Sequence, residues 1–439
     1  MPVVYAVLCH HSPRAVGELV RALHHPDHAI LLHADAKAPP RLHAAVHELA
    51  GLLPNVHVVD SRLCSWGGWS LVDATLRAIG DALDLPAPWR HFALLSEQHL
   101  PLQSPAAIAA SLPDGASFSD AVPLPAMDRD HRSDLFHRFV RHWRELPGVG
   151  MFSTGPRQVT QAQADTFRLG SQWVILARAA CERLWAVRDD DALWAPFRDS
   201  LVPDETALMS VLRGTPVGAG LDVRRSNPTF IAWPHLGGGA DSGFTDETVR
   251  AARARGHLFI RKRPERLPPF AASLLATFPD RPNLPVFPAA EPPAVDPCTQ
   301  ALAAALGGAL RARLPGVAVG SPPPGAGSAC CLEFRVPGQA PALSVHLLSQ
   351  DFSAFKLLLA WRRPFDGPLA PISLGGYAAT IMGARLPGLT LAREVHFSEI
   401  PEHGFFRADA EDVAGMAPRV AAALGVARAL SALVPAQAA

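Results

Sequence analysis

The chain opens on an unbroken apolar run, Val3-Val4-Tyr5-Ala6-Val7-Leu8, and then turns amphipathic over residues 13–23. The alternation repeats. Residues 29–32 are apolar and end at His33-Ala34-Asp35, and residues 40–53 carry helical spacing. Residues 56–59 are apolar, 71–83 helical, and 91–95 apolar again. Short, wholly apolar runs suit strands buried on both faces, and longer stretches of 3.6-residue period suit the helices that cover them. The rhythm predicts a mainly parallel α/β sheet flanked by helices, with ligands at the carboxyl ends of the strands. His10, Asp35 and Ser96 lie just past such ends.

Two later stretches break the rhythm. Residues 123–150 concentrate Arg129, His131, Arg132, His137, Arg138, Arg141, His142 and Arg144. They read either as a solvated basic helix face or as a rim that attracts an anionic substrate. From 267 to 297 proline recurs too often for a long helix or a central strand, which predicts an extended linker or a wrap across the surface. Beyond it, strands are expected at 330–336, 343–348, 356–361 and 389–397, with helices at 299–314 and 410–433. The expected organisation is a domain at 1–266, a proline-rich linker at 267–297 and a small α+β domain at 298–439.

Composition narrows the classes. Half of the 439 residues are apolar, ample for a core, and the formal net charge is zero, which argues against a general nucleic-acid binder. The six cysteines form no C-x-x-C pair and sit among apolar residues, as buried thiols of a reducing compartment do. The first strand begins without a basic, apolar leader, and no eighteen-residue apolar run occurs. The expectation is a cytoplasmic chain, soluble or peripheral at a membrane. Phosphate-loop, dinucleotide-binding, nucleophile-elbow and zinc-helix motifs do not occur.

The candidate chemistry lies in a series of short motifs. In order they are Tyr5-Ala6-Val7-Leu8-Cys9-His10-His11, Leu31-Leu32-His33-Ala34-Asp35, Ser65-Trp66-Gly67-Gly68-Trp69-Ser70 and Leu94-Leu95-Ser96-Glu97-Gln98-His99-Leu100-Pro101. Gly170-Ser171-Gln172-Trp173, Val202-Pro203-Asp204-Glu205-Thr206 and Phe259-Ile260-Arg261-Lys262 follow. A Pro-Asp-Glu triplet alone reads as a helix start. The ordered set, spread over residues 3–265, resembles the core-2/I-branching glycosyltransferase family, which includes the peptide O-xylosyltransferases.

That resemblance implies a GT-A-like fold and inverting transfer from a UDP-sugar, xylose or N-acetylglucosamine, to a hydroxyl of a glycan, peptide or other acceptor. It implies no cofactor beyond the donor substrate and no metal ion, basic side chains stabilising the diphosphate instead. Glu205 matches the catalytic glutamate, the base that takes the acceptor proton. Lys262 matches the phosphate-binding lysine, and Arg261 beside it fits the xylosyltransferase-like form. Asp35 and His10 fall on the nucleotide side. Trp66, Ser96, Trp173 and Asp204 are candidates for substrate contacts, Asp204 also as the residue that orients the turn.

The sequence departs from the pattern at two points. His99 stands where members often carry Asp, and a further diphosphate-binding arginine would fall near Thr229, with Arg224 or Arg225 as substitutes. A second reading keeps the fold as a catalytically weak nucleotide-sugar or glycan-binding module. Asp128-Arg129-Asp130 has the Asp-x-Asp form of metal-binding GT-A enzymes but lacks a clean strand before it, and Asp189-Asp190-Asp191 reads as a solvated loop.

Overall fold

The computed structural model describes residues 2–124, 138–146, 150–232, 243–279 and 281–290, and beyond these only strand segments between 318 and 406. The chain divides into two compact units, residues 1–144 with 155–291, and residues 145–154 with 292–439.

The first unit follows the predicted rhythm. β1 (Val3–Cys9), α1 (Pro13–Leu23), β2 (Ala29–Ala34), α2 (Pro40–Leu52), β3 (Val56–Val58), α3 (Trp69–Leu83) and β4 (His91–Ser96) alternate along the chain. β5 (His99–Pro101), α4 (Pro105–Ser111), β6 (Ala116–Ser119) and β7 (Val122–Pro123) come next, then the strands β8 (Arg141–Leu146) and β9 (Gly150–Pro156), whose residues 145–146 and 150–154 are counted with the second unit. The basic stretch therefore ends in a strand, not in a helix. α5 (Gln161–Thr166), β10 (Arg168–Leu169), β11 (Ile175–Ala177), α6 (Arg178–Ala186), α7 (Asp191–Arg198), a 3-10 turn at Pro203–Glu205 and α8 (Ala207–Gly214) lead to β12 (Asp222–Arg225). β13 (Thr229–Ile231), α9 (Asp246–Ala254), β14 (Phe259–Arg261) and α10 (Pro269–Ala276) complete the unit.

The main sheet has seven strands in the order β12-β6-β11-β4-β1-β2-β3. β11 alone runs antiparallel to its neighbours, β4 and β6; the other pairings are parallel. Strand alternation splits β1 between two cores. Val3, Tyr5 and Val7 pack with α1 and α2, while Val4, Ala6 and Leu8 pack toward α3 and α6. A strand lined by helices on both sides must be apolar at every position, which is why β1 reads as a continuous run. A second, three-stranded sheet in the order β13-β14-β5 stands beside the ends of β1 and β4, and β14 pairs antiparallel with β5 so that Arg261 lies opposite His99. This mixed α/β architecture, a large mostly parallel sheet between helices, is consistent with a GT-A-like fold.

The proline-rich stretch is a wrap rather than a free tether over its described part. Pro268 and Pro269 start α10, where a missing N–H costs nothing, and Ala271, Leu274 and Leu275 are buried. Further on, Leu284 and Phe287 enter the α1–α2 core. The Arg14 N–H donates to the Pro288 carbonyl at 3.0 Å and Arg21 Nη2 to the Leu284 carbonyl at 2.7 Å.

In the second unit, β15 (Ala318–Gly320), β16 (Cys330–Arg335), β17 (Leu343–Gln350) and β18 (Ala354–Trp361) form an antiparallel sheet closed by β21 (Gly404–Phe406). The two-residue strands β19 (Ser373–Leu374) and β20 (Tyr377–Ala378) pair with each other. Three of the four expected strands coincide with these. The expected strand at 389–397 and the helices at 299–314 and 410–433 lie outside the described residues.

Candidate active site

At the carboxyl edge of the main sheet the chain turns sharply after each parallel strand. After β2, the buried Asp35 carboxylate accepts the Lys37 N–H at 3.1 Å and the Cys64 N–H at 3.4 Å through Oδ1, and Lys37 Nζ lies 4.0 Å from Oδ2. Burial raises its pKa against those stabilising contacts, and His10 lies within electrostatic reach. After β4 comes Glu97, a residue the sequence reading passed over. Its side chain is 1% exposed, and Oε1 accepts the His10 N–H at 3.2 Å and the His11 N–H at 3.0 Å. His10 Nδ1 sits 2.9 Å from the same oxygen, with the imidazole 43% exposed. Burial pushes the Glu97 carboxyl up, but the charge and hydrogen bonds of His10 outweigh it, and the net shift is down.

The β5–β14 ladder builds the next layer. His99 is fully buried, and its Nδ1 accepts the Ser96 N–H at 2.9 Å. Burial, then the charge of Arg261, holds its imidazole well below the usual histidine range, so it is neutral. It packs edge-on to Trp173, ring centroids 4.6 Å apart. The Arg261 guanidinium lies 4.1 Å above the Trp173 ring and reaches Gln98 Oε1 at 3.4 Å. Burial lowers Arg261 to about 10, while Glu97, Glu205 and Asp204 act in the opposite direction. Lys262 is lowered to about 8, by burial first and then by Arg261. Two adjacent cations short of solvation are suited to an anion. The next residue, Arg263, is also basic, but it is buried and donates through Nη2 to Glu18 at 2.6 Å.

The Pro-Asp-Glu turn stands opposite this layer. Val202, a buried β-branched residue, adopts φ +55°, a strained conformation. It is fixed because its N–H donates to the Gly67 carbonyl at 2.9 Å. Gly67 itself is at φ +73°, which explains a glycine in the Ser65–Ser70 turn. The Gly170 N–H donates to the Glu205 carbonyl at 3.0 Å. A Cβ on Gly170 would lie 2.5 Å from Ala121 Cα, so only glycine allows this approach. The Ser171 N–H is held by Asp120 Oδ1 at 2.7 Å, whose Oδ2 accepts from Asn227. Glu205 is 36% exposed and takes Arg138 Nη1 on Oε2 at 2.7 Å. Asp204 Oδ1 is buried without a partner, and burial together with the Glu205 charge lifts that carboxyl to about 7. The pair is asymmetric: Asp204 is shifted toward its neutral form, and Glu205 faces a cation.

The predicted residues therefore converge, linked from Glu205 through Gly170 and Trp173 to Arg261, and from Arg261 through Gln98 to the β4 end with Glu97 and His10. Trp173 is buried, a platform for Arg261. The Ser96 hydroxyl lies 3.1 Å from His99 Nδ1 and accepts the Gln98 N–H at 3.3 Å, so it is engaged within its own turn. Trp66 is half-buried beside Gly67. Thr229 is buried on β13, while Arg224 and Arg225 are exposed on β12, Arg224 pairing with Asp222 at 2.9 Å. Asp190 caps α7 and Asp191 pairs with Arg198, ordinary structural roles. Asp128 and Asp130 lie outside the described residues, as do Arg129, His131, Arg132 and His137; among the described residues no cluster of metal-ligating side chains occurs. Glu97 and Asp120 escaped notice because each acts across the fold, and Arg138 stood out only as one of the basic residues of 123–150. The signal for Glu97 was a lone carboxylate directly after an apolar strand.

Comparison with known proteins decides the family. The model of the core-2/I-branching enzyme family matches residues 3–255, more than half of the chain. This chain belongs to the core-2/I-branching enzyme family. Xylosyltransferase 2 of Canis lupus familiaris is 29% identical over 231 residues, covering 49% of this chain and 25% of that protein. Xylosyltransferase 2 of Mus musculus is 29% identical over 236 residues, covering 50% and 25%. A Mus musculus beta-1,3-galactosyl-O-glycosyl-glycoprotein beta-1,6-N-acetylglucosaminyltransferase 3 is 24% identical over 209 residues, covering 46% and 45%. The matched relatives are glycosyltransferases by name. The chain spans about a quarter of the xylosyltransferases' length and under half of the acetylglucosaminyltransferase's. The family match covers every motif residue of the site except those of β14 and beyond, so Arg261 and Lys262 rest on the geometry just described. Among the described residues no helix is long and apolar enough to cross a membrane.

Proposed function

We propose that the chain is an inverting glycosyltransferase that moves xylose or N-acetylglucosamine from a UDP-sugar to a hydroxyl of a glycan or peptide acceptor. The observation that carries this reading is the pairing of a partly exposed carboxylate, Glu205, with two electrostatically coupled cations, Arg261 and Lys262, across one site. Glu205 takes the acceptor proton on Oε1 while Arg138 holds Oε2, and the deprotonated oxygen attacks the anomeric carbon from the face opposite the nucleotide. Charge then gathers on the departing diphosphate, where Arg261 and Lys262 neutralise it without a metal ion. Asp35 and His10, at the ends of β2 and β1, seat the nucleotide. Trp173 acts as the rigid support that aims Arg261. Asp204, its carboxyl raised to about 7 by burial and by the Glu205 charge, is in part protonated near neutrality.

The test is transfer from UDP-xylose and from UDP-N-acetylglucosamine to a panel of hydroxyl acceptors, with the product's anomeric configuration read by NMR. The α-linked donors give β-linked product if the reaction inverts; an α-linked product contradicts the proposed role of Glu205. Uridine nucleotide binding without transfer to any acceptor favours the module reading instead.

A further inference from the structure

We infer that Glu97 is a positioning residue that keeps His10 a fixed cation at the carboxyl end of β1, so that its imidazolium joins Arg261 and Lys262 in holding a bound diphosphate. The inference rests on the donor-binding reading above. Glu97 itself cannot meet a ligand, because its side chain is 1% exposed behind the imidazole. Its geometry fixes His10 in three ways: Oε1 takes the His10 and His11 amides and stands 2.9 Å from His10 Nδ1. Its other oxygen, Oε2, is buried with no hydrogen-bond partner. A buried carboxylate so incompletely bonded is sustained only by nearby positive charge. His10 is the cation in contact, and the ion pair in turn favours the imidazolium.

Other charged and titratable groups among the described residues of these elements have contacts of their own. On its own strand end are the buried Cys9 and the neighbouring His11, ring centroids 6.4 Å apart. From β2 comes Asp35, already bound to the Lys37 and Cys64 amides and close to the Lys37 ammonium. From β14 comes Arg261, which senses the Glu97 charge but stacks on Trp173. Glu265, beyond β14, accepts from Ser12 Oγ at 2.9 Å. Opposite charge on both sides, Glu97 behind and Asp35 beside, supports a cation at His10. The 43% exposure of the imidazole leaves it an edge toward a ligand.

The test is the pH profile of UDP-sugar binding by the full chain, followed by calorimetry with UDP-xylose and with UDP-N-acetylglucosamine. These diphosphates keep constant charge near neutrality. With Glu97 in place the affinity holds within about twofold from pH 6.0 to 7.5. In Glu97→Gln the imidazolium loses its paired carboxylate, and affinity falls about tenfold as pH rises over the same interval. His10→Lys in that background restores the flat profile. Parallel profiles for wild type and Glu97→Gln overturn the inference, since loss of a purely structural carboxylate weakens binding equally at all pH. Should Glu97→Gln fail to fold, the exposed position carries the test: at pH 7.5 His10→Gln loses about tenfold in affinity, and His10→Lys, which keeps the charge, loses clearly less. Equal affinity of those two variants also overturns it. A wild-type chain that binds neither UDP-sugar defeats the donor-binding reading itself, a different result from binding that ignores Glu97.

Discussion

At the strand ends, Asp35 and Glu97 are buried and each fixes the chain with one oxygen, through the amides of Lys37 and Cys64 or of His10 and His11. At the Pro-Asp-Glu turn, Asp204 fixes nothing through Oδ1, and Glu205 stands 36% exposed against a single arginine on a backbone strained at Val202. Both regions present carboxylate charge to Arg261, Glu97 from one and Asp204 with Glu205 from the other. In one, hydrogen bonding makes the carboxylates part of the scaffold. In the other, burial and the Glu205 charge raise the Asp204 carboxyl, while Glu205 stands partly exposed beside Arg138. Strand ends hold a nucleotide well because they are rigid. A turn fixed by Gly67 and Gly170 can bear a carboxylate that reacts.

The contrast can be broken from either side. Lys262→Ala removes a charge at the proposed diphosphate site and is expected to weaken UDP-sugar binding by about 10–100-fold, as loss of a charge-assisted bond does; calorimetry checks it, and unchanged affinity removes Lys262 from the site. Gly170→Ala forces a methyl against the Ala121 backbone and should lower stability by about 1–3 kcal/mol in denaturant melts, with a larger proportional loss of turnover because the Glu205 turn shifts.

Alkaline pH acts on the cations. Below about pH 8 Lys262 is charged in the free protein; above it, binding a diphosphate requires uptake of a proton, so affinity should fall by up to tenfold per pH unit. Stability moves the other way. The unfolded chain keeps that proton to about pH 10.4, so between the two values unfolding takes up a proton, and Lys262 stabilises the fold increasingly as pH rises. Affinity and stability with the same sign of slope in that window would contradict the assignment.

The smallest effect separates the two carboxylates of the turn. The Asp204 carboxyl is raised to about 7, so its contribution to stability is full below about pH 4 and is lost as pH rises through 7. Asp204→Asn removes the cost of that buried charge and is expected to raise stability by about 1 kcal/mol at pH 8 and to lower it slightly at pH 4. Melting curves at both pH values check the sign.

The scaffold was largely legible in sequence because its signals are local. Apolar runs at 3–8, 29–32 and 91–95 suit strands covered on both faces, and they are β1, β2 and β4 with limits shifted by two residues at most. Motif residues past those strands were legible as positions, not as partners. Nothing near Ser96 in the sequence says that its hydroxyl meets His99, or that Trp173 lies beneath Arg261. Arg138 was visible only as one charge among many between 123 and 150. Its pairing with Glu205 spans 67 residues and depends on the chain returning past Leu201. Over its described part the proline-rich stretch is a wrap, one of its two expected forms, and its one short helix, α10, begins with proline in the first turn.

The central claim is that Glu205, and not Asp204, is the base. Measured side by side with saturating UDP-sugar and acceptor, kcat of Glu205→Gln should fall about 1000-fold or more with UDP affinity kept, while Asp204→Asn stays within about tenfold of wild type. A Glu205→Gln enzyme that turns over normally, or an Asp204→Asn enzyme that suffers the greater loss, would contradict the account.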